Sequence, residues 1–159
     1  MIRAYLVGLL PDYRHGKVKA GGKSVAEKLV RRHLQLIFPD ITITSNHRPA
    51  QLRSRKGRPL EFDLWLPDFK LAIEVQGPQH FREVYGDNTA LVANDQHKRE
   101  WCAANEVKLV WLNWEGATAS LFRLPEAQQR QHLAELLGVF LASGHTFLSW
   151  ESVSSHELA

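Results

Sequence analysis

Residues 60–77 carry the sequence LEFDLWLPDFKLAIEVQG, in which apolar and polar side chains alternate on both sides of a Pro-Asp pair. Strict alternation of this kind is typical of a half-buried strand. Pro67 pre-sets φ for the first central position of a turn, so the stretch predicts two strands joined by a turn. The residues predicted to share one face in each strand are Phe62, Leu64 and Leu66 in the first, and Leu71, Ile73 and Val75 in the second.

Two carboxylates lie on the same face of this predicted pair. A two-residue loop would place Asp63 opposite Ala72, one diagonal step from Glu74, whereas a four-residue loop would place Asp63 directly opposite Glu74. In both cases the strands are ~5 Å apart. Like charges opposite each other destabilise a sheet. We therefore expect a cation between Asp63 and Glu74.

The charge of the chain is distributed unevenly along its length. Its net charge is +3, but residues 1–60 hold 13 Lys and Arg against 3 Asp and Glu, a balance of +10. Residues 61–159 hold 7 against 14, a balance of −7. An asymmetry of this kind indicates an anionic partner, most commonly nucleic acid. The alternative interpretation is a solvated basic surface.

Composition indicates an ordinary soluble protein. The 159 residues are 44% hydrophobic and 23% charged, and no apolar run approaches a membrane-spanning length. We therefore expect a cytoplasmic location and no membrane partner. Cys102 is the single cysteine, so the chain can form no internal disulfide and no cysteine-rich zinc site.

The predicted elements follow the order helix, three strands, helix, strand, helix. The first helix begins at Ser24 and ends before Pro39, and a strand is predicted at residues 41–44. After the two strands of residues 60–77, we predict a helix over residues 91–106, a strand over residues 108–112 and a last helix over residues 125–142 with Leu133, Leu136, Leu137 and Phe140 as its apolar stripe. This order predicts an α/β fold with a central mixed sheet flanked by helices. We divide the chain into a basic arm (1–23), a core (24–114) and a C-terminal helix and tail (115–159) packed on the same domain.

The order of motifs over residues 24–114 resembles the PD-(D/E)xK nuclease superfamily. Phe62-Asp63 matches the PD element, and Glu74-Val75-Gln76 matches ExK with Gln76 in place of the lysine. A histidine at His80 and an acid at Asp95 resemble the EDxHD variant, which includes very-short-patch repair and phage-type homing endonucleases. The resemblance implies a restriction-endonuclease-like core and Mg²⁺- or Mn²⁺-dependent hydrolysis of DNA phosphodiesters, by a monomer or a homodimer.

The resemblance also implies a role for each matching residue. Asp63 and Glu74 would bind the metal, and His80 would act as general base or stabilise the transition state. Asp95 would orient His80 or bind the metal through water, Glu27 would hold a metal-bound water, and Gln76 would orient the nucleophile or the scissile phosphate.

Structural roles are the alternative for several of these side chains. Glu27 stands three residues after Ser24, which is the spacing of a capping box. Asp95 stands four residues before Arg99, which is the spacing of an ion pair on a helix surface. His80 lies in a predicted loop, where surface histidines are common.

Basic loop residues are the candidates for contact with DNA phosphates. They are Lys17, Lys19, Lys23, Arg48, Arg53, Arg55, Lys56 and Arg58. A catalytically inactive nucleic-acid-binding module is the alternative function, since RNA-binding RAP domains resemble the same stretch. An interaction domain that binds neither metal nor nucleic acid is the third alternative.

Overall fold

The computed structural model describes residues 25–76, 89–113 and 124–149. These ranges contain three α-helices and five strands. The helices are α1 (Val25–Ile37), α2 (Thr89–Ala104) and α3 (Glu126–Ala142). The strands are β1 (Thr44–His47), β2 (Phe62–Leu66), β3 (Leu71–Gln76), β4 (Lys108–Asn113) and β5 (Phe147–Ser149).

The five strands form one mixed sheet in the order β1-β2-β3-β4-β5. The pairs β1–β2 and β2–β3 are antiparallel, and the pairs β3–β4 and β4–β5 are parallel. Parallel neighbours require a crossover connection. Helix α2 lies in the connection from β3 to β4, and α3 lies in that from β4 to β5. The predicted α/β class, with a mixed sheet flanked by helices, is confirmed.

The connection between β2 and β3 fixes the register of the site. One turn of 3₁₀ helix (Pro67–Phe69) is followed by Lys70 in the left-handed region, with φ 47°. Leu66 therefore pairs with Leu71, and Leu64 with Ile73. Of the two loop lengths considered above, the four-residue loop is the one present, and its register places Asp63 opposite Glu74.

The larger hydrophobic core lies between the sheet and helices α1 and α3. It includes Leu64, Ile73 and Val75 from the sheet and Leu34 from α1. The predicted stripe of α3 is confirmed, because Leu133, Leu136, Leu137 and Phe140 are all buried in this cluster. Each fully buried side chain of this type stabilises the fold by ~1.5–3 kcal/mol, so this packing holds α1 and α3 on the sheet.

A second, smaller cluster lies on the sheet face that packs against α2. It contains Ala72, Leu109 and Cys102, with Trp101 packed against it. Phe62 also belongs to this cluster, 6.1 Å from Trp101 between ring centroids. Phe62, predicted to share a face with Leu64 and Leu66, thus packs in a different cluster from them. Phe62 is the first residue of β2, where the chain arrives from residues 52–60 on the α2 face.

Two strands differ from the prediction. The strand expected at residues 41–44 lies at Thr44–His47 instead, and the Ile43 carbonyl oxygen just before it accepts a hydrogen bond from Arg31 at 2.8 Å. Strand β5 was not predicted at all. None of the helices in the described ranges is long and apolar enough to cross a membrane.

Candidate active site

Asp63 and Glu74 lie side by side on the central strands β2 and β3. Glu74 is buried, with 6% of its surface exposed, and Asp63 is half-buried. The Val75 backbone N–H donates to Asp63 Oδ2 at 2.8 Å, which fixes the Asp63 carboxylate against the neighbouring strand. The sequence predicted this pair of carboxylates, and the structure brings them together.

A lysine from α2 completes the cluster. Lys98 Nζ forms an ion pair with Glu74 Oε1, and the Lys98 side chain is only 14% exposed. Its Nζ also lies 5.8 Å from the centroid of the Phe62 ring. The cation that accompanies Glu74 in this structure is the ammonium of Lys98, which was not predicted from the sequence.

Burial and neighbouring charges shift the pKa values of Glu74 and Lys98. Burial raises the pKa of Glu74 well above its usual value, and the neighbouring charge and hydrogen bond of Asp63 raise it further, while Lys98 opposes both. Burial alone would lower the pKa of Lys98, but the negative charges of Glu74, Asp63 and Asp95 outweigh it and leave that pKa raised. Lys98 is therefore held as an ammonium at neutral pH.

Two further residues of α2, Asp95 and Cys102, interact electrostatically with this cluster. Asp95 is half-buried and close enough for its charge to act on Lys98. Cys102 is buried, and desolvation together with the charge of Glu74 raises the pKa of its thiol to about 12. A thiol with so high a pKa is a poor nucleophile, and Cys102 packs as a small hydrophobic residue in the smaller cluster.

The remaining predicted site residues are Glu27, Gln76 and His80. Glu27 is half-buried in the first turn of α1, which packs against β2 and β3. Gln76 ends β3, where its backbone pairs with Asn113, and its side chain lies outside the described residues. His80 and the proposed cap Ser24 also lie outside them. The roles of Glu27, Gln76 and His80 stay predictions.

The basic candidates fall into three groups. Lys17, Lys19 and Lys23 lie outside the described residues. Arg48 pairs with Glu61 at 2.8 Å, and Arg53 donates to the Gly57 carbonyl oxygen at 2.9 Å. The third group, Arg55, Lys56 and Arg58, is exposed to solvent.

Sequence reasoning missed Lys98. Asp95 is the residue of α2 for which the sequence predicts a role in the site. Lys98 follows Asp95 by three residues, and residues with that spacing are neighbours on one face of a helix. The absence of a lysine at Gln76 was the second available signal, because it left the carboxylates without a nearby cation.

The chemistry of the carboxylate pair fits a divalent metal. Mg²⁺ is commonly bound by one or two carboxylates and completes its coordination with water. Asp63 and Glu74 supply two such groups on adjacent strands. Within the described ranges, no group of three or more His, Cys, Asp and Glu residues could hold a metal ion, so further protein ligands would have to come from elsewhere.

No protein-family model matches the chain, and no curated protein matches it significantly. Among solved structures it is similar to the 5-hydroxymethylcytosine-specific restriction enzyme AbaSI, with 15% sequence identity and a TM-score of 0.43 over 87% of this chain. The match covers 46% of that enzyme chain, so this chain spans less than half its length. A likeness this slight carries no argument about family or function.

Proposed function

We propose that this chain is a Mg²⁺- or Mn²⁺-dependent DNA endonuclease of the EDxHD type. The observation that carries the proposal is the arrangement of Asp63, Glu74 and Lys98 on β2, β3 and α2. Two adjacent carboxylates with one buried lysine combine metal-binding groups with a fixed positive charge. Hydrolysis of a phosphodiester requires both functions.

Asp63 and Glu74 are the proposed metal ligands. A bound Mg²⁺ or Mn²⁺ would polarise a phosphoryl oxygen and lower the pKa of an attacking water. The hydrogen bond from the Val75 N–H fixes one oxygen of Asp63, so its carboxylate is held in place before metal or substrate arrives. Preorganisation of this kind avoids rearrangement during the reaction.

Lys98 is proposed to supply the positive charge that Gln76 does not. Glutamine is neutral and can orient a water but cannot offset developing negative charge. Lys98 Nζ lies at Glu74, so it can stabilise charge that develops on the phosphate beside that carboxylate. His80 keeps its proposed role as general base, with Asp95 as its orienting partner. Glu27 and Gln76 are proposed to orient the water and the phosphate.

A plasmid-nicking assay tests this function. Purified protein should nick supercoiled plasmid in Mg²⁺ or Mn²⁺ and should not do so in EDTA. Asp63→Asn should reduce the rate by roughly a hundredfold or more, the scale expected for loss of one group that stabilises charge. Asp68→Asn is the matched control, because Asp68 is an exposed aspartate on the turn of the same hairpin. The proposal would be contradicted if Asp63→Asn nicked plasmid as fast as wild type, or if wild type nicked no plasmid with any divalent metal.

One observation favours a second function, a nucleic-acid-binding module without catalysis. Lys98 already compensates Glu74, so the cluster has a cation without any metal. A binder of this type would resemble the RAP domains named above. The two functions differ in one measurable property, since only the nuclease requires a divalent-metal site that depends on Asp63.

A further inference from the structure

A short hairpin rich in arginine and lysine precedes β2, and we call residues 52–60 the basic hairpin. Its backbone is closed by three hydrogen bonds: Leu60 N–H to Leu52 O at 3.0 Å, Ser54 N–H to Arg58 O at 2.8 Å, and Gly57 N–H to Ser54 O at 2.9 Å. Gly57 has φ 74°, a conformation that glycine adopts without strain. The segment predicted as a loop is therefore a defined turn with a fixed conformation.

The base of the basic hairpin is fixed to the face that carries the carboxylate pair. Leu52 is 2% exposed and packs in the smaller cluster with Phe62, Ala72 and Cys102. Ala72 and Glu74 alternate with the residues of the larger core along β3, so both point to the α2 face. The base of the hairpin therefore lies on the same side of the sheet as Glu74.

The side chains of the hairpin separate into structural and exposed groups. Arg53 Nη1 donates to the Gly57 carbonyl oxygen and braces the turn. Arg55, Lys56 and Arg58 are exposed, and their side chains have no hydrogen-bond or ion-pair partner within the described ranges. No acidic residue occurs between Asp40 and Glu61. The tip of the hairpin is therefore a concentrated, uncompensated positive charge.

We propose that Arg55, Lys56 and Arg58 bind backbone phosphates of duplex DNA to one side of the bond that is cut. This inference rests on the proposed function. Arg58 precedes Asp63 by five residues, a separation of at most ~17 Å between their Cα atoms. That length corresponds to the axial rise of about five base pairs. Because the turn is preformed, little conformational entropy is lost when it binds. Arg48 and Arg53, by contrast, hold the segment in place.

Fluorescence anisotropy with a labelled duplex of about 20 base pairs, in EDTA, tests this proposal without any cleavage. The variant Arg55→Gln/Lys56→Gln should bind roughly tenfold to a hundredfold more weakly than wild type at about 0.1 M salt. The slope of log K against log salt should become shallower by about 1.8, or ~0.9 for each lost phosphate contact. The matched control, Lys70→Gln/Arg130→Gln, removes two charges from the β2–β3 turn and from α3 and should stay within about twofold of wild type.

The results separate this proposal from the proposed function. Wild-type affinity in the hairpin variant, an equal loss in the control, or no DNA binding by the wild type would overturn the role of the hairpin. Binding that depends on the hairpin, without any metal-dependent nicking, would support the hairpin and overturn the nuclease function.

Discussion

Lys98 on α2 and Glu74 on β3 form a buried ion pair directly beside Asp63. When all three groups are ionised, two carboxylates face one ammonium, and one negative charge stays uncompensated by Lys98. Burial strengthens the interaction between these charges because the surrounding dielectric is low. The cluster therefore keeps its capacity for a second cation while being partly neutralised in the metal-free protein.

Replacing Lys98 with methionine should lower the free energy of unfolding by about 3–5 kcal/mol near pH 8, the usual cost of removing one partner of a buried pair. The pKa of Glu74 is raised in the folded protein. The free energy of unfolding therefore falls as the pH rises from the pKa of Glu74 in the unfolded chain to its pKa in the folded protein. Without Lys98 this loss grows, and it should be smaller at pH 5 than at pH 8, because a lower pH favours the protonated form of Glu74. Urea denaturation at both pH values measures the difference.

The double variant Glu74→Gln/Lys98→Met is the control for that experiment. It removes both charges, and neutral replacement of a buried pair is often tolerated. Its stability should lie within about 1 kcal/mol of wild type and vary less with pH than that of Lys98→Met. A Lys98→Met protein that is equally stable at both pH values would show that the ion pair does not compensate Glu74.

His33 should make the fold sensitive to acid. It is 1% exposed between α1 and α3, where its Nε2 lies 3.0 Å from Gln129 Oε1. Burial lowers its pKa, so the unfolded chain takes up the proton more readily, and stability should fall as the pH drops below about 6.5. The contribution is at most about 1.4 kcal/mol per pH unit.

Denaturation of His33→Gln between pH 7.5 and pH 5 tests this, because glutamine cannot take up the proton. Its stability should change less with pH than that of wild type. His132→Gln, which alters an exposed histidine on α3, should keep the wild-type dependence. Identical curves for wild type and His33→Gln would show that His33 does not contribute.

Lys108 should contribute to stability through the end of α3. Its Nζ donates to the carbonyl oxygens of Phe140, Ser143 and His145 at 3.1, 2.8 and 2.6 Å. Phe140 lies in the last turn of α3 and Ser143 and His145 follow the helix, so one lysine ties together the segment where the chain leaves α3. Lys108→Met should cost about 1.5–3 kcal/mol in thermal or urea denaturation. Lys70→Met, which removes a surface contact of 3.4 Å to the Asn105 carbonyl oxygen, should cost much less, and equal losses would contradict this role.

Sequence periodicity predicted the elements that are long or strongly patterned. The stripe of α3 and the alternation in β2 and β3 follow directly from which face of each element is buried. Strand β5 has three residues, too few for a periodic signal, and it forms by pairing with β4. Arg31 of α1 binds the Ile43 carbonyl oxygen just before β1, a contact between elements that the local sequence does not specify.

The carboxylate pair was predictable for a similar reason, and its cation was not. Alternation places Asp63 and Glu74 on one face with either of the two loop lengths considered, so their proximity is a local property. Lys98 reaches Glu74 from a helix 24 residues later in the chain. Only the packing of α2 on the sheet determines that this lysine, and not Arg99, meets Glu74. Arg99 instead lies over the Phe147 ring, at 3.9 Å from its centroid.

Calorimetric titration with Mn²⁺ tests most directly whether the Asp63–Glu74 pair is a metal site. Wild-type protein should bind one Mn²⁺ with measurable heat, Asp63→Asn should lose that binding, and Asp68→Asn should retain it. The titration requires neither DNA nor turnover, so it examines the carboxylate pair alone. No binding by the wild type, or the same binding by Asp63→Asn as by the wild type, would contradict the account.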